Sequence, residues 1–402
     1  MRTHKIATTA LAAAVALLAA CGGDSDNSAA DQAALVAQGQ QIFRFDTFGD
    51  ETQWTDTLRL HEVIRTAVDP TTALSVGLKV DSQALPAALV AGIQNGSVDL
   101  KSPATTVALL KLDAVVGLKG TVEAVNGKDT LTRVGVTCAL CHSTVDDSFA
   151  PGIGKRLDGW PNRDLDAGAI IALSPALSAA ARAVYTSWGP GKYDPRFNLD
   201  GKNGPQVIPP AYGLTGIHKI ISTGDGDDLA YWNRYVGVTQ MGGHGSFVEP
   251  RTGVNVSNGT DDLITAKLPA LQAYQLSLAA PPPPAGSFDT AAAGRGKLVF
   301  NGAGKCATCH SGELFTDANT RLHPPSDAVS EPEPNGAPSY ASRSATKQYR
   351  TAPLKGLWQH APYFHNGTAP TLEAVVQTYT TKLSLGLTAG QIADLTQYLK
   401  SL

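Results

Sequence analysis

Two five-residue patterns constrain this chain more than any other feature: Cys138-Ala139-Leu140-Cys141-His142 and Cys306-Ala307-Thr308-Cys309-His310. Each sets two thiols three residues apart, about one helical turn, with a histidine directly after the second. Sulfurs at that spacing reach the two vinyl groups along one edge of a porphyrin, and the adjacent imidazole is then positioned to ligate the iron. The expected cofactors are therefore two covalently bound haem c groups, with Cys138, Cys141, Cys306 and Cys309 as attachment points and His142 and His310 as proximal iron ligands. One such motif could be an accident or a redox dithiol. Two, in a chain with no other unexplained cysteine, argue against both.

The fifth cysteine has a separate explanation. Arg2 and Lys5 give a charged start and Ile6 to Ala20 an apolar stretch too short to span a bilayer comfortably, so residues 1–20 read as an export signal. The signal ends in Leu18-Ala19-Ala20-Cys21, which resembles the lipobox of bacterial lipoproteins. Cys21 is thus expected to carry lipid and to anchor a protein that faces the periplasm or the outer surface; an ordinary cleaved secretory peptide is the alternative. Residues 21–32 read as a flexible polar tether. Lipid and haem attachment together use all five cysteines and leave none for a disulfide. The 402 residues carry 32 basic and 35 acidic side chains, a formal net charge of −3, without long runs of either sign. Such a surface advertises neither a nucleic-acid partner nor a polybasic membrane contact.

Along the chain, helices are expected over residues 33–42 and 55–67. Apolar patches broken by Gly, Asn and Pro follow from 68 to 133, where Val107 to Val116 fits helix and strand equally. Residues 150–260 are rich in Gly, Pro, Asn and Asp, as ordered loops around a cofactor would be. A helix over 264–278 ends in Pro281-Pro282-Pro283-Pro284, a stiff linker. The expected domains are accordingly 33–280, holding the first motif, and 288–402, holding the second, joined by 281–287. In the latter, a helix over 290–300 precedes the motif, and the last helix opens with Thr388 and Gln391 in a capping-box pattern, with Ile392, Leu395, Leu399 and Leu402 on one face.

The sixth ligand of each iron decides between chemistry and plain electron transfer. Apart from Met1, the chain has one methionine, Met241, which precedes the linker, so methionine ligation of the C-terminal haem is not expected unless Met241 crosses over. Local candidates there are His323, His360, His365 and Tyr379. For the N-terminal haem they are His218, Met241 and His244, with His61 further off. His244 stands in a glycine-rich loop, Gly242 to Gly245, whose backbone could approach a haem face. Peroxide chemistry also needs an acid or base over an open iron, and Glu249 is the candidate.

The segments Tyr349-Arg350-Thr351-Ala352-Pro353-Leu354-Lys355-Gly356-Leu357-Trp358 and Ala361-Pro362-Tyr363-Phe364-His365-Asn366-Gly367-Thr368-Ala369-Pro370-Thr371-Leu372-Glu373 resemble the C-terminal signature of the bacterial di-haem cytochrome c peroxidase and MauG superfamily. Phe43 to Glu51 with Trp54, and the loop Gly154 to Asp164, resemble the branch that includes the rubber oxygenases. The resemblance implies an N-terminal haem that meets substrate and a C-terminal haem that relays electrons. It sets Tyr379 where peroxidases carry a methionine ligand, as in the MauG enzymes, while His365 would give a bis-histidine haem. His365 is favoured, because phenolate ligation needs a depressed pKa. Arg350 is a candidate partner for a haem propionate. With the helical tail, the resemblance points to a mainly α fold: two cytochrome c-like haem domains with long loops and little sheet.

Three functions fit. One is peroxidase-like reduction of hydrogen peroxide at the N-terminal haem, with electrons from a small periplasmic redox protein by way of the C-terminal haem. A second is an electron-transfer cytochrome with both irons six-coordinate, and a third an oxygenase that takes dioxygen and an apolar substrate.

Overall fold

A Cβ at Gly39 would lie 1.9 Å from the Ala270 carbonyl oxygen. Only glycine therefore lets the helix Gly23–Phe45 cross the helix Leu268–Ser277 as closely as it does. Phe43, fully buried, meets Tyr274 edge to face at 5.5 Å beside that crossing. The helix that opens the N-terminal part thus lies on the helix that closes it. This computed structural model describes residues 23–402, with side chains from residue 29 onward. The expected signal segment and the lipid site at Cys21 lie outside the described residues. From Gly23 the stretch expected as a flexible tether is helical.

The fold is mainly α-helical, and sheet among the described residues is limited to five two-stranded pieces. The helix expected over 55–67 is interrupted: Thr52–Thr57 forms a wide π-type turn, Arg59 has φ +56°, and regular helix runs only over Leu60–Ala67. Trp54 Nε1 donates to the Met241 carbonyl at 2.9 Å and Thr55 Oγ1 to the Val134 carbonyl at 2.8 Å, so tertiary anchoring outweighs local helix preference there. The ambiguous stretch divides. Pro103–Lys111 is a helix that buries Val107, Leu109 and Leu110, and an antiparallel hairpin of Leu118–Val125 and Lys128–Val136 follows. Asn126 and Gly127 at its tip both take positive φ, as a tight hairpin turn requires. From 150 to 260 short elements alternate with long loops, and Tyr185, Trp188, Tyr193 and Phe197 interlock edge to face where regular pairing is sparse.

One apolar core draws on residues between Ile42 and Tyr274, and a second on residues between Val299 and Leu399. In the second, the helices Thr290–Asn301 and Ala389–Lys400 pack together, pinned by the Arg295–Asp394 ion pair at 2.6 Å. The Thr388/Gln391 capping box is formed, Leu395 and Leu399 are buried, and Ile392 and Leu402 pack at the core's edge. Polar contacts join the two parts. The buried Arg343 side chain binds Asp194 at 3.0 Å and Asp200 at 2.7 Å, and Arg196 binds Asp225 at 2.5 Å and the Arg343 carbonyl at 2.8 Å. Trp358 donates Nε1–H to the Pro281 carbonyl at 3.1 Å and meets Trp160 edge to face at 5.7 Å.

Candidate haem-binding sites

The hairpin strand ending at Val136 leads straight into the first motif, carried on one helical turn, Ala139–His142. Gly117, with φ +83°, lies against this turn so closely that a Cβ would sit 2.1 Å from Leu140 Cα. Cys138 and Cys141 are half-buried free thiols, and burial pushes both up to about 12. His142 Nδ1 lies 3.1 Å from the Pro209 carbonyl oxygen. A carbonyl can only accept, so Nδ1 carries the proton and Nε2 is left as the free ligand atom. Burial lowers this imidazole to about 4, which keeps it neutral at neutral pH. The loop that follows closes around the turn: Gly159 N–H donates to the His142 carbonyl at 2.8 Å and Asn162 N–H to the Cys141 carbonyl at 2.9 Å.

The second motif repeats the device on different backbone. Lys305, with φ +53°, opens a short 3-10 turn, Cys306–Thr308, and His310 N–H donates to the Cys306 carbonyl at 2.9 Å. His310 Nδ1 lies 3.1 Å from the Phe315 carbonyl oxygen, with the Ala352 backbone also in reach, and burial lowers its pKa. Cys306 is pushed up to about 11 by burial. Beside this pair, on the helix Leu372–Lys382, stands Tyr379, whose phenol is pushed up by burial and by the neighbouring Cys306 and Cys309. Its ring lies 6.0 Å from Phe364.

His365, expected as an axial ligand, is engaged by other side chains in this structure. Its Nε2 lies 2.6 Å from Glu333 Oε1 and its Nδ1 3.2 Å from Ser330 Oγ, and the ring stacks on Tyr349 at 4.8 Å. The His365 and Glu333 side chains are only 8% and 7% exposed, so the pair is buried, and Tyr379 is the candidate that stands beside the attachment cysteines. Glu249 is likewise engaged by neighbours. Arg251 binds it at 2.6 Å and Tyr231 Oη–H at 2.8 Å, and the Arg251 guanidinium holds its carboxyl down to about 2. A carboxylate so held keeps no proton to deliver near neutral pH.

The remaining candidates are spread through the molecule. His244 Nδ1 pairs with Asp261 at 2.7 Å, its ring seated between Gly49 and Gly259, and none of these contacts is shared with His142. His323 stands near His310 and Cys309, its Nε2 engaged by Asp317 at 3.0 Å and Thr351 Oγ1 at 3.1 Å. His218 is exposed, and His61 lies on the helix Leu60–Ala67 with a buried, unpartnered Nδ1. Burial lowers His360 to about 4. Met241 is buried and lines an apolar cavity of about 110 Å³ with Trp54, Ile64, Leu140, Ile171 and Tyr193. Arg350 donates Nη1–H to the Lys219 carbonyl at 2.6 Å, but its Nε is buried without a partner, and burial lowers it to about 10. Arg163, in the loop Gly154 to Asp164, shows the same signs and is likewise lowered to about 10.

These residues fit a haem c at each motif. Each place offers two free thiols and a half-buried imidazole with its tautomer fixed by a carbonyl, and near the second a guanidinium has a buried, unmet donor for an anionic edge. Residues 348–383, which include Arg350, His365 and Tyr379, match the family described as RoxA-like, cytochrome c-like. That match is consistent with the resemblance to the di-haem peroxidase and MauG superfamily. No curated protein matches the chain. Among solved structures, similarity is found to hydrazine synthase of Kuenenia stuttgartiensis, at 18% identity over 50% of this chain and 73% of that one, with a TM-score of 0.34. A MauG-like protein associated with microbial copper homeostasis gives 20% identity over 49% and 73%, TM-score 0.34. A variant of the diheme peroxidase BthA from Burkholderia thailandensis gives 16% identity over 83% and 88%, TM-score 0.34.

Proposed function

We propose that this chain is an exported, lipid-anchored c-type oxidoreductase with two haem c groups, one on Cys138, Cys141 and His142 and one on Cys306, Cys309 and His310. The observation that carries the reading is the repeated imidazole arrangement: both histidines direct Nδ1–H to a backbone carbonyl at 3.1 Å, next to paired free thiols. Bound haem c supplies one-electron redox change and, where an axial position is open, a place for peroxide or dioxygen to react. The chain's part is to fix the imidazoles, to bind an anionic edge at Arg350, and to offer the Tyr379 phenol beside the second attachment pair. In this reading hydrogen peroxide is reduced at the His142 site, and electrons reach it from a small periplasmic redox protein by way of the His310 site.

The test is low-temperature electron paramagnetic resonance on the oxidised, haem-loaded protein and then on the half-reduced form with hydrogen peroxide added. A high-spin ferric signal from one haem that responds to peroxide supports the enzyme. Two low-spin signals, unmoved by half-reduction or peroxide, leave a dedicated electron carrier instead. One observation favours a second reading, an oxygenase for an apolar substrate: the cavity of about 110 Å³ has aliphatic and aromatic walls and includes Leu140, inside the first motif. Dioxygen binding by the reduced protein, with no turnover of peroxide, would favour that alternative.

A further inference from the structure

A buried guanidinium is normally met by a carboxylate, because an unpaired charge out of water costs several kcal/mol, on the order of the whole stability of a domain. Arg343 and Arg196 follow that rule with Asp194, Asp200 and Asp225. Arg163 does not. Its Nη2–H donates to the His360 carbonyl at 2.7 Å, while Nε and Nη1 are buried with no partner, and no acidic side chain among the described residues forms an ion pair with it. The phenols of Tyr212 and Tyr363 are close by, but they are neutral: Tyr212 donates its Oη–H to the Gly356 carbonyl at 2.9 Å and Tyr363 to the Leu357 carbonyl at 3.0 Å. The chain therefore leaves two donors of a positively charged group without an acceptor.

Arg163 adjoins the first motif. Arg163 directly follows Asn162, whose N–H binds the Cys141 carbonyl, in the loop whose Gly159 binds the His142 carbonyl. Arg350, with its own orphaned Nε, stands two residues from Ala352, whose backbone reaches the His310 ring. One unmet guanidinium thus accompanies each motif. We propose that Arg163 anchors a carboxylate of the haem c bound at Cys138 and Cys141 through one of its two unmet donors, Nε–H or Nη1–H, and with Nη2 ties that carboxylate to the C-terminal part at the His360 carbonyl. A planar guanidinium holds a carboxylate and a carbonyl at once in fixed directions, which a lysine ammonium cannot match. The proposal rests on the reading that both motifs carry haem, and it adds Arg163 as a positioning residue at the junction of the two parts.

The experiment uses full-length, haem-loaded protein as the parent, Arg163→Gln and Arg163→Lys. Haem content per chain is measured first. Two haems in the parent uphold the underlying reading, and fewer than two sink that reading independently of Arg163. Resonance Raman bands of propionate bending and potentiometric titration of each haem then test the anchor. Arg163→Gln is expected to shift the propionate bands of one haem and move that haem's potential to more negative values, since a nearby positive charge that favours the reduced state is gone. Arg163→Lys should hold the potential near the parent's while still altering the bands. Unchanged bands and potentials in a folded, two-haem Arg163→Gln protein would overturn the proposal. Should Arg163→Gln fail to fold, parent-like bands in Arg163→Lys would overturn it equally.

Discussion

A histidine binds a metal through whichever nitrogen its neighbours leave free. At His142 and His310 the neighbour is a backbone carbonyl on Nδ1, and the free atom is Nε2. Replacing either histidine by glycine should remove that iron's proximal ligand while both thioethers stay, seen as altered coordination of one haem in electron paramagnetic resonance. Parent-like coordination in both variants would refute the assignment. Tyr379→Phe should change the axial coordination of the C-terminal haem. His365→Ala should leave that coordination alone but lower stability by about 3–5 kcal/mol in denaturant titration, because it strands Glu333 in the interior. Asp50 gives a pH signature. It is fully buried and binds the Val136 N–H at 3.2 Å, and burial raises its pKa well above the ordinary carboxylate value. A raised carboxyl pKa means stability that is present below the unfolded value of about 3.9 and lost as pH rises toward the folded one. Asp50→Asn should therefore unfold less readily than the parent at pH 8 and lose that advantage toward pH 4, in urea titrations at each pH; equal pH slopes would count against the buried acid. At this scale the sequence is legible where residue type is the message, as in the cysteines and their adjacent histidines. It is silent on partners. His365 and Glu249 carry the right chemical groups but are engaged by Glu333 and Arg251, while the Pro209 and Phe315 carbonyls carry no residue signature at all.

Elements were readable to the degree that local signals acted alone. The capping box at Thr388 sets the last helix as its four residues predict, since nothing competes with it. The Asn126-Gly127 turn was equally explicit, flanked by strand-forming residues, yet the apolar run before it invites a helix or a strand and hid the hairpin. The π-type turn at Thr52–Thr57 has no local cause; Met241 and Val134, far along the chain, hold it. Gly117 shows how one element positions another. Gly117→Ala would force a side chain into the backbone of Leu140, so the first motif would have to move. The expected result is an altered spectrum of the N-terminal haem with that of the C-terminal haem intact; a variant with both spectra unchanged would mean that the hairpin does not set the motif's place.

For the whole molecule, the junction between the two parts includes buried ion pairs. Arg343 holds Asp194 and Asp200, and its removal leaves two aspartates without their cation. Arg343→Ala should cost about 3–5 kcal/mol and split a single thermal transition into two in calorimetry, as the parts come to melt separately. One transition at the parent's temperature would show that the junction is held by other contacts. None of this was visible in the sequence, where these residues lie scattered in Gly- and Pro-rich loops.

The half-buried thiols of Cys138, Cys141 and Cys306, pushed up to about 12, 12 and 11, have a bearing on how such a protein is made. It is the thiolate that reacts, and at these values almost none exists at neutral pH. The native shape therefore shelters the very groups that must form bonds. On the proposed reading, haem attachment is favoured while the chain is still open and its sulfurs are in water, with folding following on a product already joined.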